Sequence, residues 1–404
     1  MKHTVVIGGG ASGLISAIYA KTPNNKVTIL ERNPSCGKKI LATGNGKCNY
    51  WNADQDINHY HSTNNELLNE IINKDIQEEV LTFFNDLGIV PKIKNGYFYP
   101  FSNQATTIKN ALLNEVTNKG IIVRNEFFVK KIIKQEEYFL IEGNNELIKA
   151  DNIILACGSK ASPKTGSDGN GYNLLTKLNH TIIEPHPALV QLKTKGNFLK
   201  EWAGIRTDVK VSLYEDNNLI KEESGEIQLT DYGISGICIF NLSRFISIGI
   251  SQNKKEEVFI NFLPFIENNP LEYLTNLFKN NNSIKTQLEG ILNNKLVSVI
   301  LKVSNINEYK SFNELTTYEK ELLVNNLVSF KTEVIDTNSF EQAQVSTGGV
   351  PLTEINLSTM ESKIVKNLYI VGEVLDVDGD CGGYNLGFAW MSGIKAGKGC
   401  SQDD

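Results

Sequence analysis

The chain has 404 residues, with 46 acidic against 40 basic side chains, a formal charge of −6 and a hydrophobic share of 41%. That length exceeds what one hydrophobic core usually supports, so two or three domains are expected, with room for an enzyme's deep cofactor cleft. The acidic balance argues against a protein that coats nucleic acid or lies on a membrane surface, although a local basic patch stays compatible with it.

Taken in chain order, the first element is a short apolar strand, Thr4-Val5-Val6-Ile7, set directly against Gly8-Gly9-Gly10-Ala11-Ser12-Gly13. Gly8, Gly10 and Gly13 form G-x-G-x-x-G at the end of a strand and the start of a helix, the context a dinucleotide-binding turn requires. Such a turn offers the N–H groups of Ala11, Ser12 and Gly13, at the start of a helix over 12–21, to phosphate. The next apolar run, Val27 to Leu30, closes on Glu31, followed by Arg32, and a carboxylate at that spacing accepts ribose hydroxyls. A dinucleotide is therefore expected, and these residues leave its identity open. No signal-peptide pattern precedes the strand, no later run approaches about 18 apolar residues, and six cysteines are scattered without C-x-x-C pairs. A cytoplasmic protein without membrane spans, metal site or disulfide framework is expected.

Next comes a glycine- and lysine-rich loop, Gly37-Lys38-Lys39-Ile40 through Gly44-Asn45-Gly46-Lys47-Cys48-Asn49, in which the lysines either face phosphate or are solvated. His59-Tyr60-His61 suggests a strand or loop face more than a metal site. Strands are expected at 121–124 and 153–157, with a three-stranded antiparallel insert over 127–150 between them. The second of these strands meets a small-residue turn, Ala156-Cys157-Gly158-Ser159, where backbone can approach a cofactor. From Pro187 to about Pro264 alternating runs predict an antiparallel sheet or barrel, and Leu, Lys and Glu at helical spacing over 270–333 predict a small helical subdomain. A last buried strand, Asn367 to Gly372, leads into Glu373, the turn carrying Asp376, Asp378, Asp380 and Cys381, and a helix over 386–398. The expected organisation is a split nucleotide domain, 1–188 with 336–404, around a β-barrel or sheet domain at 189–266 and a helical subdomain at 267–335.

Three blocks join the opening fingerprint: Gly37 to Asn49, Ile153 to Gly171, and Gly372-Glu373 through Gly382-Gly383-Tyr384-Asn385. In this order, with Thr347-Gly348-Gly349-Val350 and Tyr232-Gly233-Ile234-Ser235-Gly236, the chain resembles from end to end the BaiN/RdsA-type bacterial flavoproteins, NAD(P)/FAD-dependent oxidoreductases that include aminoacetone-oxidase-like members. The resemblance implies FAD in an α/β fold of the two-dinucleotide-binding type, with the inserted barrel and helices. There are departures: Gly96-Tyr97-Phe98-Tyr99-Pro100 lacks the arginine the family often has before its aromatic-Pro block, and Lys47 stands where the family has arginine. A lysine keeps a phosphate contact but not a bidentate one.

The cofactor-binding residues so implied are Gly8, Gly10, Ala11, Ser12, Gly13, Glu31, Arg32, Lys38, Lys39, Gly44, Gly46, Lys47, Cys48, Asn49, Ala156, Cys157, Gly158, Gly372, Glu373, Asp378, Gly383, Tyr384 and Asn385. Gly382 to Asn385, opening the last helix, suit the flavin N1–C2=O edge, and Glu373 and Asp378 suit phosphate-bridging water or ribityl hydroxyls. The alternative for Asp376, Asp378 and Asp380 is that they are solvated turn carboxylates. Cys381 and Tyr384 are the candidate catalytic residues, with Cys48 a further possible proton donor. No second G-x-G-x-x-G stands in a strand context, so NAD(P)H would visit the flavin transiently rather than occupy a domain of its own. The leading expectation is hydride transfer between flavin N5 and a substrate held between the FAD and barrel domains. Three substrates fit the resemblance: a conjugated double bond reduced with NAD(P)H, an amine oxidised with O₂, or uridine in ribosomal RNA. A small molecule is favoured over RNA by charge, and an FAD-binding structural or sensor protein is the non-enzymatic alternative.

Overall fold

The computed structural model describes residues 1–401 and divides them into two compact units, one of residues 1–186 with 344–401 and one of Pro187–Ala343. The first unit is built on a seven-stranded sheet. Its parallel part comprises β1 (Lys2–Ile7), β2 (Asn25–Leu30), β3 (Ile122–Arg124), β4 (Asn152–Leu155) and β5 (Leu368–Ile370), in the order β5-β4-β1-β2-β3. Two short antiparallel strands, Ile355–Asn356 and Glu361–Ser362, extend it beyond β5. β1 lies at the centre of the parallel part because Val5 and Val6 are buried on both faces, as a strand flanked by parallel neighbours requires. The three-stranded insert is present as an antiparallel meander, Val129–Lys134, Phe139–Gly143 and Glu146–Ala150.

Two helices matter most for the site: α1 (Ala11–Ala20), which follows β1, and α2 (Tyr384–Gly399) at the far end of the chain. They cross at small residues. A Cβ on Gly393 would overlap the Ile15 side chain and stand 2.8 Å from the Ser12 carbonyl oxygen, so glycine is what allows the two backbones to approach. The C-terminal segment is thereby packed onto the opening fingerprint.

The second unit holds a closed barrel of six antiparallel strands: Leu192–Thr194, Arg206–Glu215, Asn218–Leu229, Gly233–Gly236, Glu256–Asn261 and Phe330–Thr337. The barrel and the helices after it share one core, in which Val211, Ile260 and Phe330 meet Leu296, Ile300 and Leu327. Two elements differ from expectation. Ile237–Ser251 is a helix within the stretch expected to form strands, and Phe330–Thr337 is a barrel strand at the end of the stretch expected to be helical. Among the described residues no helix is long and apolar enough to cross a membrane.

Candidate functional site

The turn between β1 and α1 is the tightest part of the first unit. A Cβ on Gly13 would overlap the Gly8 carbonyl oxygen, so the helix can leave the strand at this angle only with glycine there. Around Gly10, by contrast, a Cβ would meet nothing within 4 Å. α1 starts at Gly10 with no side-chain cap and no acidic residue in its first turn, which leaves its N–H groups and positive dipole end available to an anion. Glu31, buried at the end of β2, accepts from the Gly9 N–H at 2.8 Å and from the Asn33 backbone and side-chain nitrogens at 2.7 Å. Arg32 is drawn elsewhere, to Asp168 at 2.5 Å and over the Phe128 ring.

Of the three loop lysines, Lys38 and Lys47 are exposed. Lys39 is paired with Glu373 at 2.6 Å, and the other Glu373 oxygen accepts from the Ser159 hydroxyl at 2.7 Å and the Ser346 N–H at 3.2 Å. The structure therefore ties the 37–49 loop, the turn after β4 and the Gly372-Glu373 turn into one polar network, close to α1: a Cβ on Gly372 would come within 2.5 Å of the Ser12 hydroxyl. Gly44, Asn45, Gly46 and Cys48 all have positive φ, so the loop is wound left-handed and two of its four positions are glycine. Cys48 is buried, and burial pushes its thiol up to about 12. Ala156, Cys157 and Gly158 follow β4 directly; burial raises Cys157 to about 12.

In the turn before α2, Asp376, Asp378 and Asp380 are all buried, against the alternative reading of them as solvated turn carboxylates. Asp376 accepts from the Thr63 N–H at 2.8 Å and its hydroxyl at 2.6 Å, and burial raises its carboxyl above the usual range. Asn385 clamps the turn, accepting from the Gly379 N–H at 2.9 Å and donating to the Gly379 carbonyl at 2.8 Å. α2 then starts at Gly383 without a side-chain cap, and the Asn49 side-chain oxygen beside it is buried with no hydrogen-bond donor. The Tyr384 ring lies face to face on His59 at 4.5 Å, and burial raises its phenol; burial also pushes the Cys381 thiol up to about 11.

Two uncapped helix N-termini, an orphaned acceptor and open backbone at Gly10 in one unit suit a ligand that carries a pyrophosphate and donors of its own, as FAD does. Sequence reasoning missed Tyr97, whose ring would be 2.8 Å from a Cβ on Gly382, and Asn52, which donates to the Gly382 carbonyl at 2.9 Å. It also missed the meeting of His59 and His61 with Asp380. Among the described residues no group of three or more His, Cys, Asp or Glu side chains is arranged to hold a metal ion.

The family described as HI0933-like protein Rossmann domain matches residues 2–399. The chain is 38% identical to a 3-dehydro-bile acid delta(4,6)-reductase of Clostridium scindens, over all of both chains. It is 26% identical to a ribosomal RNA dihydrouridine synthase of Escherichia coli, over 99% of this chain and 97% of that one. In fold it is similar to a 3-ketosteroid delta1-dehydrogenase from Sterolibacterium denitrificans, with a TM-score of 0.54 and 8% identity over the full length of both. The chain belongs to the HI0933-like Rossmann family, the BaiN/RdsA-type group that its glycine blocks resemble.

Proposed function

We propose that the protein is an FAD-dependent oxidoreductase that reduces a carbon–carbon double bond conjugated to a carbonyl group in a small molecule, with NAD(P)H as transient reductant, in the cytoplasm. The observation that carries this reading is the 38% identity, over the whole of both chains, to a protein named as a 3-dehydro-bile acid delta(4,6)-reductase. The first unit is the FAD-binding one. Its α1 N-terminus takes the pyrophosphate on the Ala11, Ser12 and Gly13 N–H groups, and Glu31 accepts from the adenosine ribose. Glu373, held by Lys39 and Ser159, accepts from phosphate-bridging water or ribityl hydroxyls, with Asp378 a further contact to the ribityl chain and Lys47 to phosphate. The start of α2 at Gly383 offers its positive end to the pyrimidine edge of the flavin. FAD, when bound, supplies hydride exchange at N5. Tyr384 and Cys381 both carry a proton at neutral pH and stand at that end of the site, so either is placed to donate it, while burial, by raising both, holds the proton more tightly until the reacting carbon demands it.

The test is anaerobic stopped-flow of the yellow protein with NADH and NADPH, followed by mixing with a 3-oxo-4-ene steroid, O₂ or ribosomal RNA. Flavin bleaching by a nicotinamide and recolouring by the steroid is the expected result. Recolouring by RNA alone would transfer the reaction to the substrate named for the 26% identical relative. Bleaching by an amine and recolouring by O₂ would make it an oxidase, and a colourless protein that takes up no FAD would end the reading.

A further inference from the structure

The strand Tyr60–His61 pairs antiparallel with Asp378–Gly379, and this pairing sets two histidines against one carboxylate. Asp380 Oδ2 lies 3.1 Å from His59 Nδ1, and its Oδ1 lies 3.2 Å from His61 Nε2. The second ring nitrogen of His59 faces Asp54 Oδ2 at 3.4 Å. Carboxylate oxygens only accept, so His59 satisfies both contacts when each of its nitrogens carries a proton. Exposure drops from 65% at Asp54 and 33% at His59 to 9% at Asp380, with His61 on its other oxygen at 13%. The buried carboxylate directly precedes Cys381 and Gly382 in sequence, and the His59 ring covers Tyr384. Asp54, Tyr97 and Asp380 act electrostatically on Tyr384, and the titratable rings of His59 and Tyr60 pack against it.

We propose that Asp54, His59, Asp380 and His61 form a proton relay that carries protons from solvent to the Cys381–Tyr384 end of the site. The proposal rests on the reductase reading for the use of those protons. In that reaction one carbon of the double bond gains the hydride given up by NAD(P)H, which leaves as NAD(P)⁺, and the other carbon gains a proton, which the relay replaces from water. The four side chains act as proton-holding and positioning groups; none is assigned contact with the substrate.

The first test needs no substrate. In the FAD-loaded protein, ¹⁵N-detected titration of the imidazoles should give coupled curves for His59 and His61, which become independent single-site curves in Asp380→Asn. Independent curves in the unsubstituted protein overturn the relay. The second test is turnover with NADPH and a 3-oxo-4-ene steroid. Asp380→Asn should lower recolouring of the reduced protein by about 10- to 100-fold above neutral pH and enlarge the solvent isotope effect, while leaving bleaching by NADPH unchanged. An unchanged isotope effect and pH profile overturn the proposal. Failure of the unsubstituted protein to bleach at all would count against the reductase reading and leave the imidazole test standing. Because Asp380 is buried, His59→Gln serves where Asp380→Asn does not fold, with the same kinetic outcomes expected.

Discussion

Glu31 and Glu256 are both buried carboxylates, and their surroundings give them opposite characters. Glu31 has three donors from Gly9 and Asn33, with lone pairs left over for a ligand. Glu256, in the second unit, is 2% exposed, and no donor reaches either of its oxygens. A Cβ on Gly249 would overlap one of those oxygens and stand 2.9 Å from a Glu215 oxygen, so the two carboxyls converge on the same helix. Burial first, then the Glu215 charge, pushes Glu256 up to about 7, against an opposing pull from Lys254. Its folded-state value lies above the unfolded one of 4.5, so folding favours the acid form. The stability this adds is complete below about pH 4.5 and is lost as pH rises through about 7, by on the order of 3 kcal/mol. Corrected for intrinsic rate, hydrogen exchange in the strand Glu256–Asn261 should therefore speed up between about pH 5 and pH 8, and Glu256→Gln should level the profile. Glu31 was legible in the sequence from its place at the end of an apolar run. The Glu215–Glu256 convergence was not, because it depends on how two strands and a helix meet.

At the scale of elements, α1 and α2 share a design: each opens on glycine, neither has a side-chain cap, and neither has an acid in its first turn. Helices of the second unit show the alternative, with Asn293 capping its helix and Thr316 forming a capping box with Glu319. Glycine in place of a capping side chain costs only about a few tenths of a kcal/mol, and a bound anion offsets it. The seam between α1 and α2 sets where the two open ends lie, since Gly393 meets Ser12 and Ile15, and Gly397 meets Ser16 and Tyr19. Gly393→Leu should force the helices apart, costing about 1–3 kcal/mol and lowering FAD retention together with the melting temperature. A variant that melts lower yet keeps full FAD affinity would separate the seam from the site. The strands of the parallel sheet were legible from their short apolar runs, and both helices from the glycine turns that precede them. Ile237–Ser251 was not, since a helix this apolar carries little periodicity, and Phe330–Thr337 was hidden behind a helical run that it follows without a break.

At the scale of the molecule, the split nucleotide domain was visible only by setting Gly8–Gly13 beside Gly372–Asn385, because nothing local marks two ends of a chain as neighbours. The first unit closes on itself. Ile183 and Gly349 exchange backbone hydrogen bonds of 2.8 and 3.0 Å, and the Thr347 N–H donates to the His186 carbonyl at 2.9 Å. The chain thus leaves this unit and re-enters it side by side, and each unit has a hydrophobic core of its own. An insertion joined through adjacent ends can be removed without opening the loop-closure entropy of its host. Replacing residues 187–343 with a short Gly-Ser linker should then yield a folded, yellow protein whose FAD affinity stays within about tenfold of the full chain's, a difference of roughly 1.4 kcal/mol. Flavin fluorescence on titration reads the affinity, and near-ultraviolet circular dichroism reads the fold. A folded protein that retains no FAD would mean that the second unit supplies contacts the cofactor needs, and the assignment of FAD to the first unit alone would fall.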